Sequence, residues 1–308
     1  MIPADETFDG TWPFQARYFD GHGFRQHYID EGQADSGETF VLLHGEPTWG
    51  YLFRKFVAPL AARGRVVVPD HMGFGKSETP QDRDYSYQDH CENLEALLLH
   101  LDLRDTTLVM HDWGGMIGGQ FAFRHSDRVD RVVVLDTFVS PPGSPLDPPQ
   151  GEAPAPTPWF ELVLDENFGP VIQNLRFTIL SVLQRIGIHR GEQIDDNWVR
   201  AYAAPFPTPA DCKGAQAFPL SLLQPETYAY VEQGRAIPGA VEALRSKPAL
   251  AVWGEQETTV PREAVEAAFR TYWPDGPLVT IPGAAHYTPE DAPETLVALI
   301  EQFVQATG

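Results

Sequence analysis

Apolar positions along the chain fall into short continuous runs that alternate with segments of helical spacing. Nearly continuous apolar runs predict buried strands at residues 40–43, 65–68, 108–110 and 131–135, and two opening strands are predicted at 16–19 and 27–30. Apolar residues spaced three and four apart predict helices at 51–62 and 87–101. Strands that are apolar throughout and alternate with helices predict a mostly parallel sheet flanked by helices on both faces.

The alternation stops after Asp136 and resumes near residue 249. Residues 140–158 are dense in Pro, Gly and Ala, which is typical of an irregular excursion. Residues 159–233 have helical spacing, including an apolar face of Ile172, Leu175, Ile179, Leu183 and Ile186. Strand and helix patterns return at 249–253, 262–272, 278–281 and 292–304. We therefore predict an α/β core of residues 1–140 and 235–308, interrupted by an inserted helical cap at 141–234.

The turn that follows the third apolar run carries the first candidate for chemistry. The run ends at Asp112, and Gly114 and Gly115 open a helical pattern directly after it. A sharp strand-to-helix turn needs such small residues, and it projects the side chain at its apex into an open site. A carboxylate at the apex predicts nucleophilic attack on carbon, which forms an alkyl ester with the enzyme.

His286 lies just past the last predicted strand, and it is the candidate base. The carboxyl ends of parallel strands share one edge of the sheet, so His286 and Asp112 are expected to meet there. The acid that orients the histidine is left open between Glu257, which we favour from its place in the chain, and Asp136, with Glu255 third.

The loop after the strand at 40–43 reaches the same edge and is expected to complete the site. Backbone N–H groups of Glu46 and Trp113 are predicted to form an oxyanion hole for hydrolysis of the ester. The Trp113 indole is a further donor, directed to where a leaving anion departs.

Composition and charge limit the classes of molecule that this protein is expected to bind. The formal charge of −21 disfavours nucleic acid and anionic substrates, so we expect a small neutral organic substrate. Lysines are few, and the acidic balance fits either a protein kept soluble in high salt or an ordinary acidic enzyme. Without a leader-like start or a bilayer-length apolar run, we expect a cytoplasmic protein with no membrane partner. Cys91 and Cys212 are expected to be reduced, and no metal or cofactor is predicted.

Four motifs resemble the haloalkane dehalogenases of the α/β-hydrolase superfamily. They are HGEPTW at 44–49, HDWGG at 111–115, AYAAPFP at 201–207 and GAAH at 283–286. The resemblance covers most of the core and the end of the cap, whereas residues 141–191 match poorly. Epoxide hydrolases share the second motif, so the first one discriminates between the two families.

The resemblance implies a two-step reaction without a cofactor. Asp112 would displace halide from a saturated carbon, and water activated by His286 would hydrolyse the ester to an alcohol. In this family the halide is held by Trp113 and by a second donor, either an Asn at the position of Glu46 or a tryptophan of the cap. Because residue 46 is Glu, taken as ionised and aimed at the hydrolytic water, we expect Trp159 to be the second donor, with Trp198 next.

Three alternatives remain. An epoxide hydrolase would use the same residues with phenols from Tyr202, Tyr228 or Tyr230 as proton donors. A β-lactone decarboxylase would share the scaffold and Asp112. A non-catalytic binding protein is disfavoured, because it has no reason to keep nucleophile, base, acid and oxyanion loop together. The oligomeric state is not predicted.

Overall fold

The computed structural model describes residues 2–33, 37–141, 158–167, 187–191 and 194–308, without the side chains of 158–160. The predicted helical face of Ile172, Leu175, Ile179, Leu183 and Ile186 lies outside these residues. The predicted architecture of a mostly parallel sheet with flanking helices is confirmed.

A twisted succession of parallel strands forms the centre of the molecule. The strands are β1 (Arg17–Phe19), β2 (Gln26–Glu31), β3 (Thr39–Leu43), β4 (Arg65–Pro69), β5 (Thr106–His111), β6 (Val129–Leu135), β7 (Ala249–Gly254) and β8 (Leu278–Ile281). Their order is β1-β2-β4-β3-β5-β6-β7-β8. β2 runs antiparallel to both of its neighbours, β1 and β4, and all pairs from β4 to β8 are parallel. The end of β5, which leads to Asp112, is therefore central on the carboxyl edge.

Helices flank the sheet in two groups. The helices are α1 (Arg54–Ala61), α2 (Tyr87–His100), α3 (Trp113–Arg124), α4 (Pro158–Leu164), α5 (Asp196–Ala203), α6 (Lys213–Ser221), α7 (Pro225–Arg235), α8 (Ala240–Arg245), α9 (Arg262–Tyr272), α10 (Thr288–Asp291) and α11 (Pro293–Thr307). Short 3₁₀ turns occur at Gly50–Phe53, Ser126–Arg128 and Pro209–Cys212. In one group α1 packs against α11, and in the other α2 and α8 pack against α3.

Burial explains why the sequence pattern predicted the strands well. Every residue of β5 and β7 is buried, which is the environment that selects continuous apolar runs. The start of α2 is set by a capping box, in which Ser86 accepts from the Asp89 N–H and Asp89 accepts from the Ser86 N–H. The predicted helix at 51–62 instead begins as the 3₁₀ turn Gly50–Phe53 and becomes α-helical at Arg54.

The insertion between β6 and β7 is helical wherever the structure describes its regular elements, from α4 to α8. The division into a core and a cap at 141–234 stays a prediction. Within the described part of the chain, no helix is long and apolar enough to cross a bilayer.

Candidate active site

Asp112 lies at the apex of the turn between β5 and α3. Its φ of 51° falls in the left-handed region, which a non-glycine residue adopts only when its surroundings enforce it. Close approaches enforce it here: a Cβ on Gly45 would lie 2.1 Å from Asp112 Oδ1, and one on Gly114 would lie 2.3 Å from the Leu43 carbonyl. Glycine at these positions lets the turn and the loop after β3 touch.

The two carboxylate oxygens of Asp112 have different surroundings. Oδ1 accepts a hydrogen bond of 2.6 Å from the Glu46 backbone N–H. Oδ2 lies 3.3 Å from Nε2 of His286. The Thr137 hydroxyl donates to the Asp112 main-chain carbonyl at 2.5 Å and thereby holds the turn from β6. One carboxylate oxygen is thus held by an amide, and the other faces the histidine.

His286 is buried on the loop between β8 and α10. Its main-chain carbonyl accepts from His111 Nε2 at 2.7 Å, which anchors the loop beside the nucleophile turn. Next to it, the Tyr287 hydroxyl donates to the Glu46 carbonyl at 3.0 Å and anchors the opposite loop. No role was predicted for His111 or Tyr287, although they adjoin the proposed nucleophile and base.

Of the three candidate acids, Glu257 is the one that contacts the imidazole. Glu257 Oε2 is hydrogen-bonded to Nδ1 of His286, while Oε1 accepts from the backbone N–H groups of Thr259 and Val260. Its side chain is fully buried. These bonds leave the carboxylate a single orientation, directed at the histidine ring.

Asp136 and Glu255 are engaged elsewhere. Asp136 is buried and accepts from the Gly254 N–H at 2.7 Å and from the Thr288 hydroxyl at 2.6 Å. Glu255 is exposed and accepts from the Gly283 N–H at 3.1 Å. Both carboxyl groups therefore brace loops around the site.

Charges within the site favour an ion pair between Asp112 and His286. Burial opposes ionisation of Asp112, but the hydrogen bond and the charge of His286 outweigh it and hold the pKa of Asp112 below its usual value. Burial likewise disfavours protonation of His286, but the charge of Glu257 and the bonds to Asp112 and Glu257 raise its pKa well above the ordinary value. Both shifts favour a carboxylate on Asp112 beside an imidazolium on His286 in the resting site.

Burial favours the neutral form of two further carboxyl groups in the site. Burial, reinforced by the charge of Asp112, raises the pKa of Glu46 well above its usual range. Burial and the charge of Glu257 do the same for Asp136. The expectation that Glu46 is ionised stays a prediction, and the burial of this side chain, which the sequence pattern did not reveal, favours the neutral acid instead.

A mostly apolar cavity of about 50 Å³ opens at Asp112. Its described lining consists of Asp112, Trp113, Met116, Asp136, Thr137, Phe138, Leu222 and Val260. The Trp113 ring stacks on Phe218 of α6, with centroids 4.8 Å apart and planes inclined by 11°. Aliphatic and aromatic walls beside a carboxylate suit a small neutral substrate.

The structure describes the side chain of only one of the two tryptophans that were predicted to lie in the cap. The Trp159 side chain lies outside the described residues. Trp198 is buried and packs against Tyr202, with ring centroids 4.6 Å apart, so packing is its observed environment. Phe218, which covers Trp113, was not singled out because an apolar residue in a helical pattern carries no mark of a site.

Comparison with known proteins first places the molecule in a class. The family model described as the alpha/beta hydrolase fold matches residues 38–293, and the chain is an α/β hydrolase.

Relatives of nearly the same length then identify the family within this class. The haloalkane dehalogenase of Mycolicibacterium paratuberculosis is 35% identical over 98% of this chain and 97% of its own length. A cis-3-alkyl-4-alkyloxetan-2-one decarboxylase of Xanthomonas campestris is 32% identical over 92% of this chain and 93% of its own length. The chain belongs to the haloalkane dehalogenase family, to which the decarboxylases are close.

Solved structures agree with this placement. A mutant haloalkane dehalogenase of Agrobacterium tumefaciens superposes with a TM-score of 0.78 at 25% identity, over 94% of this chain and 96% of that one. A haloalkane dehalogenase of Paraglaciecola agarilytica, described as tetrameric, gives a TM-score of 0.75 at 29% identity, over 95% and 92% of the two chains. The predicted family is confirmed.

Proposed function

We propose that this enzyme hydrolyses small neutral haloalkanes to an alcohol and a halide ion through an ester on Asp112. Haloalkane dehalogenase relatives and structural neighbours support hydrolytic dehalogenation. The observation that carries the mechanism is the unequal environment of the Asp112 oxygens, one held by an amide and one open towards His286.

In the first step, Asp112 Oδ2 attacks the carbon that bears the halogen. The new C–O bond forms as the carbon–halogen bond breaks, and the halide leaves with the bonding electron pair. Halide is a weak base and needs no proton, so hydrogen-bond donors rather than a general acid are required. Oδ1 stays in the bond with the Glu46 N–H, which makes it the carbonyl oxygen of the ester.

Formation of the ester changes the state of His286. The resting pKa of His286 is raised in part by the charge and hydrogen bond of Asp112, and an ester carries no charge. Alkylation therefore lowers the pKa of His286, and its Nε2 proton passes to solvent, so that each turnover releases one halide ion and one proton. The imidazole becomes a base only after the ester has formed, which orders the two steps.

In the second step, water attacks the carbonyl carbon of the ester while Nε2 of His286 accepts its proton. Charge develops on Oδ1 and is met by the Glu46 N–H, and we propose the Trp113 N–H as a second donor. The tetrahedral intermediate then collapses, and the alkoxide leaves with the bonding electron pair and takes the proton held by His286, which gives the alcohol. The remaining carboxylic acid passes its proton to His286 and is again the Asp112 carboxylate. Glu257 holds Nδ1 of His286, which keeps Nε2 free to accept the proton.

The Glu46 side chain is proposed to act as a neutral carboxylic acid. A neutral group beside Asp112 does not repel the departing halide, and it can donate a hydrogen bond to the water. Glu46→Gln should therefore retain at least a tenth of wild-type activity, because the amide is neutral and keeps a donor. Complete loss of ester hydrolysis in this variant would instead assign Glu46 the role of an ionised base.

Halide binding is proposed to use the Trp113 indole together with Trp159 from the cap at 141–234. An anion that leaves in an apolar cavity needs donors already in place. Within the described residues, Trp113 lines the cavity and Trp198 is packed against Tyr202.

Lactone decarboxylation is the second candidate, because decarboxylases of oxetan-2-ones are also near-full-length relatives. Epoxide hydrolysis has less support. The Tyr202 hydroxyl donates to Glu290 and the Tyr228 hydroxyl donates to the Leu222 carbonyl, so two of the three expected phenol donors are already engaged.

One substrate panel separates the three reactions. The purified enzyme is given 1,2-dibromoethane, a small terminal epoxide and a cis-dialkyl oxetan-2-one. Bromide release with formation of 2-bromoethanol supports the proposal, and Asp112→Ala is the control. Diol formation from the epoxide, or alkene and carbon dioxide from the lactone, without bromide release would replace it.

A further inference from the structure

The loop that carries His286 contacts a segment that lies far from it in the sequence. Residues 187–191 belong to the insertion between β6 and β7, and they lie against residues 282–291. The Tyr287 N–H donates to the Gly187 carbonyl at 2.7 Å. A Cβ on Gly187 would lie 1.9 Å from a Tyr287 ring carbon, so the two segments are in direct contact.

Asp291 is the centre of this contact. Its carboxylate is 4% exposed and accepts three backbone N–H groups from two chain segments. Its Oδ2 accepts from the N–H of Ala285, the residue before His286, at 2.8 Å, and its Oδ1 accepts from the Arg190 N–H at 2.7 Å. The His189 N–H lies between the two oxygens, 3.1 Å from Oδ1 and 3.0 Å from Oδ2. A buried carboxylate is stable only when its oxygens are paired in this way, so the two segments and Asp291 depend on each other.

The Arg190 side chain closes the same contact from the solvent side. Its guanidinium group donates to the carbonyls of Pro282 at 2.9 Å, Gly283 at 3.2 Å and Asp291 at 3.3 Å. Gly283 has a φ of 64°, and the next two residues are alanines, so the loop has few side chains of its own to fix its shape. Bonds from Asp291 and Arg190 supply that constraint.

We propose that Asp291 is a positioning residue that joins the segment 187–191 to the histidine loop and thereby sets the position of the His286 imidazole. The proposal rests on the two-step function above. Asp291 touches neither the substrate nor the reacting atoms and acts through the Ala285 N–H. Because His286 is a base only in the second step, displacement of its ring should slow hydrolysis of the ester and leave formation of the ester nearly unchanged.

Asp291→Asn tests this assignment with little change in shape. A carboxylate accepts N–H groups on both oxygens, whereas the amide nitrogen of Asn would face an N–H donor on one side. Either the Ala285 bond to Oδ2 or the Arg190 bond to Oδ1 must therefore break, since His189 contacts both oxygens. We expect hydrolysis of the ester to slow by about 100-fold, the scale that a misplacement of about 1 Å costs. The alkyl enzyme should then accumulate during turnover of 1,2-dibromoethane.

Two further variants keep the test informative. Arg190→Met retains the buried Asp291 and removes only the exposed guanidinium group, so it should fold and slow hydrolysis by about tenfold. Glu255→Gln is the matched control, because the exposed Glu255 also bonds this loop, at the Gly283 N–H. It should leave both rate constants within about twofold of the wild type, since an exposed bond contributes little.

Rapid-quench mass spectrometry gives the rate constants for formation and hydrolysis of the ester. Hydrogen exchange of the Ala285 amide provides a readout independent of activity, and it should accelerate about tenfold or more in Asp291→Asn. Equal slowing of both steps, or unchanged hydrolysis in both Asp291→Asn and Arg190→Met, would overturn the assignment. Absence of bromide release from the wild type would instead reject the proposed function. The exchange rate of the Ala285 amide would still show whether Asp291 holds the histidine loop, because it does not depend on activity.

Discussion

Glu257→Gln should be far more damaging than Asp136→Asn, although both replace a buried carboxyl group near His286. The Glu257 Oε1 atom accepts the N–H groups of Thr259 and Val260. An amide placed there keeps its oxygen on those donors, so its NH₂ group faces Nδ1 of His286. Nδ1 must then accept, and the ring proton moves to Nε2. An Nε2 that carries the proton cannot take one from water.

The expected loss follows from this forced tautomer. Replacing the orienting carboxylate of a histidine base by its amide lowers kcat by about 10⁴-fold in the best-studied case, and we expect about 10³- to 10⁴-fold here. Asp136→Asn differs because burial raises the pKa of Asp136 well above its usual value and so favours the neutral acid, which an amide resembles. The Asn amide can accept from the Gly254 N–H and donate to the Thr288 hydroxyl, so we expect a loss of about tenfold at most.

Steady-state bromide release and single-turnover hydrolysis of the ester measure both variants, and circular dichroism checks that they are folded. Ester formation should survive in Glu257→Gln, because Asp112 is intact. If Asp136→Asn is the more damaging change with both proteins folded, the orienting acid has been misassigned.

Three further predictions concern halide, acid and salt. Trp113→Phe and Trp159→Phe should each weaken bromide quenching of tryptophan fluorescence about tenfold or more, whereas Trp198→Phe should not; unchanged affinity in Trp159→Phe would place the second donor elsewhere. Burial lowers the pKa of His90 and His111 to about 3, so the unfolded chain binds more protons below pH 6.5 and the free energy of unfolding should fall as pH drops towards 3. Each histidine should contribute about 1 kcal/mol of this loss at pH 5.5, and urea midpoints that stay flat from pH 7 to pH 5 would contradict it. The charge of −21 should make Tm rise from dilute buffer to 1 M KCl, where the screening length shrinks from about 30 Å to about 3 Å; an unchanged or lower Tm would favour the ordinary acidic enzyme.

The core of the fold was predictable because strands that are buried on both faces of the sheet are apolar along nearly their whole length. The runs at 108–110 and 131–135 became β5 and β6, and the glycines after Asp112 marked the strand-to-helix turn. Position in the chain also brought His286 to the same edge, since parallel strands end together.

What the sequence left open depended on contacts between distant residues. The choice between Glu257 and Asp136 turns on which carboxylate reaches Nδ1 of His286, and both lie after strands on the same edge. The raised pKa of Glu46 follows from its burial beside Asp112, which no local pattern encodes. Asp291 was missed because its partners come from residue 285 and from a segment a hundred positions earlier.

The proposed mechanism requires a covalent ester on Asp112 that is hydrolysed only when His286 activates water. It is tested most directly by mixing His286→Phe with 1,2-dibromoethane and mapping the trapped adduct by peptide mass spectrometry. We predict a single bromoethyl group on Asp112, formed in the first turnover and stable thereafter. An adduct on any other residue, or steady turnover by this variant without an adduct, would contradict the mechanism.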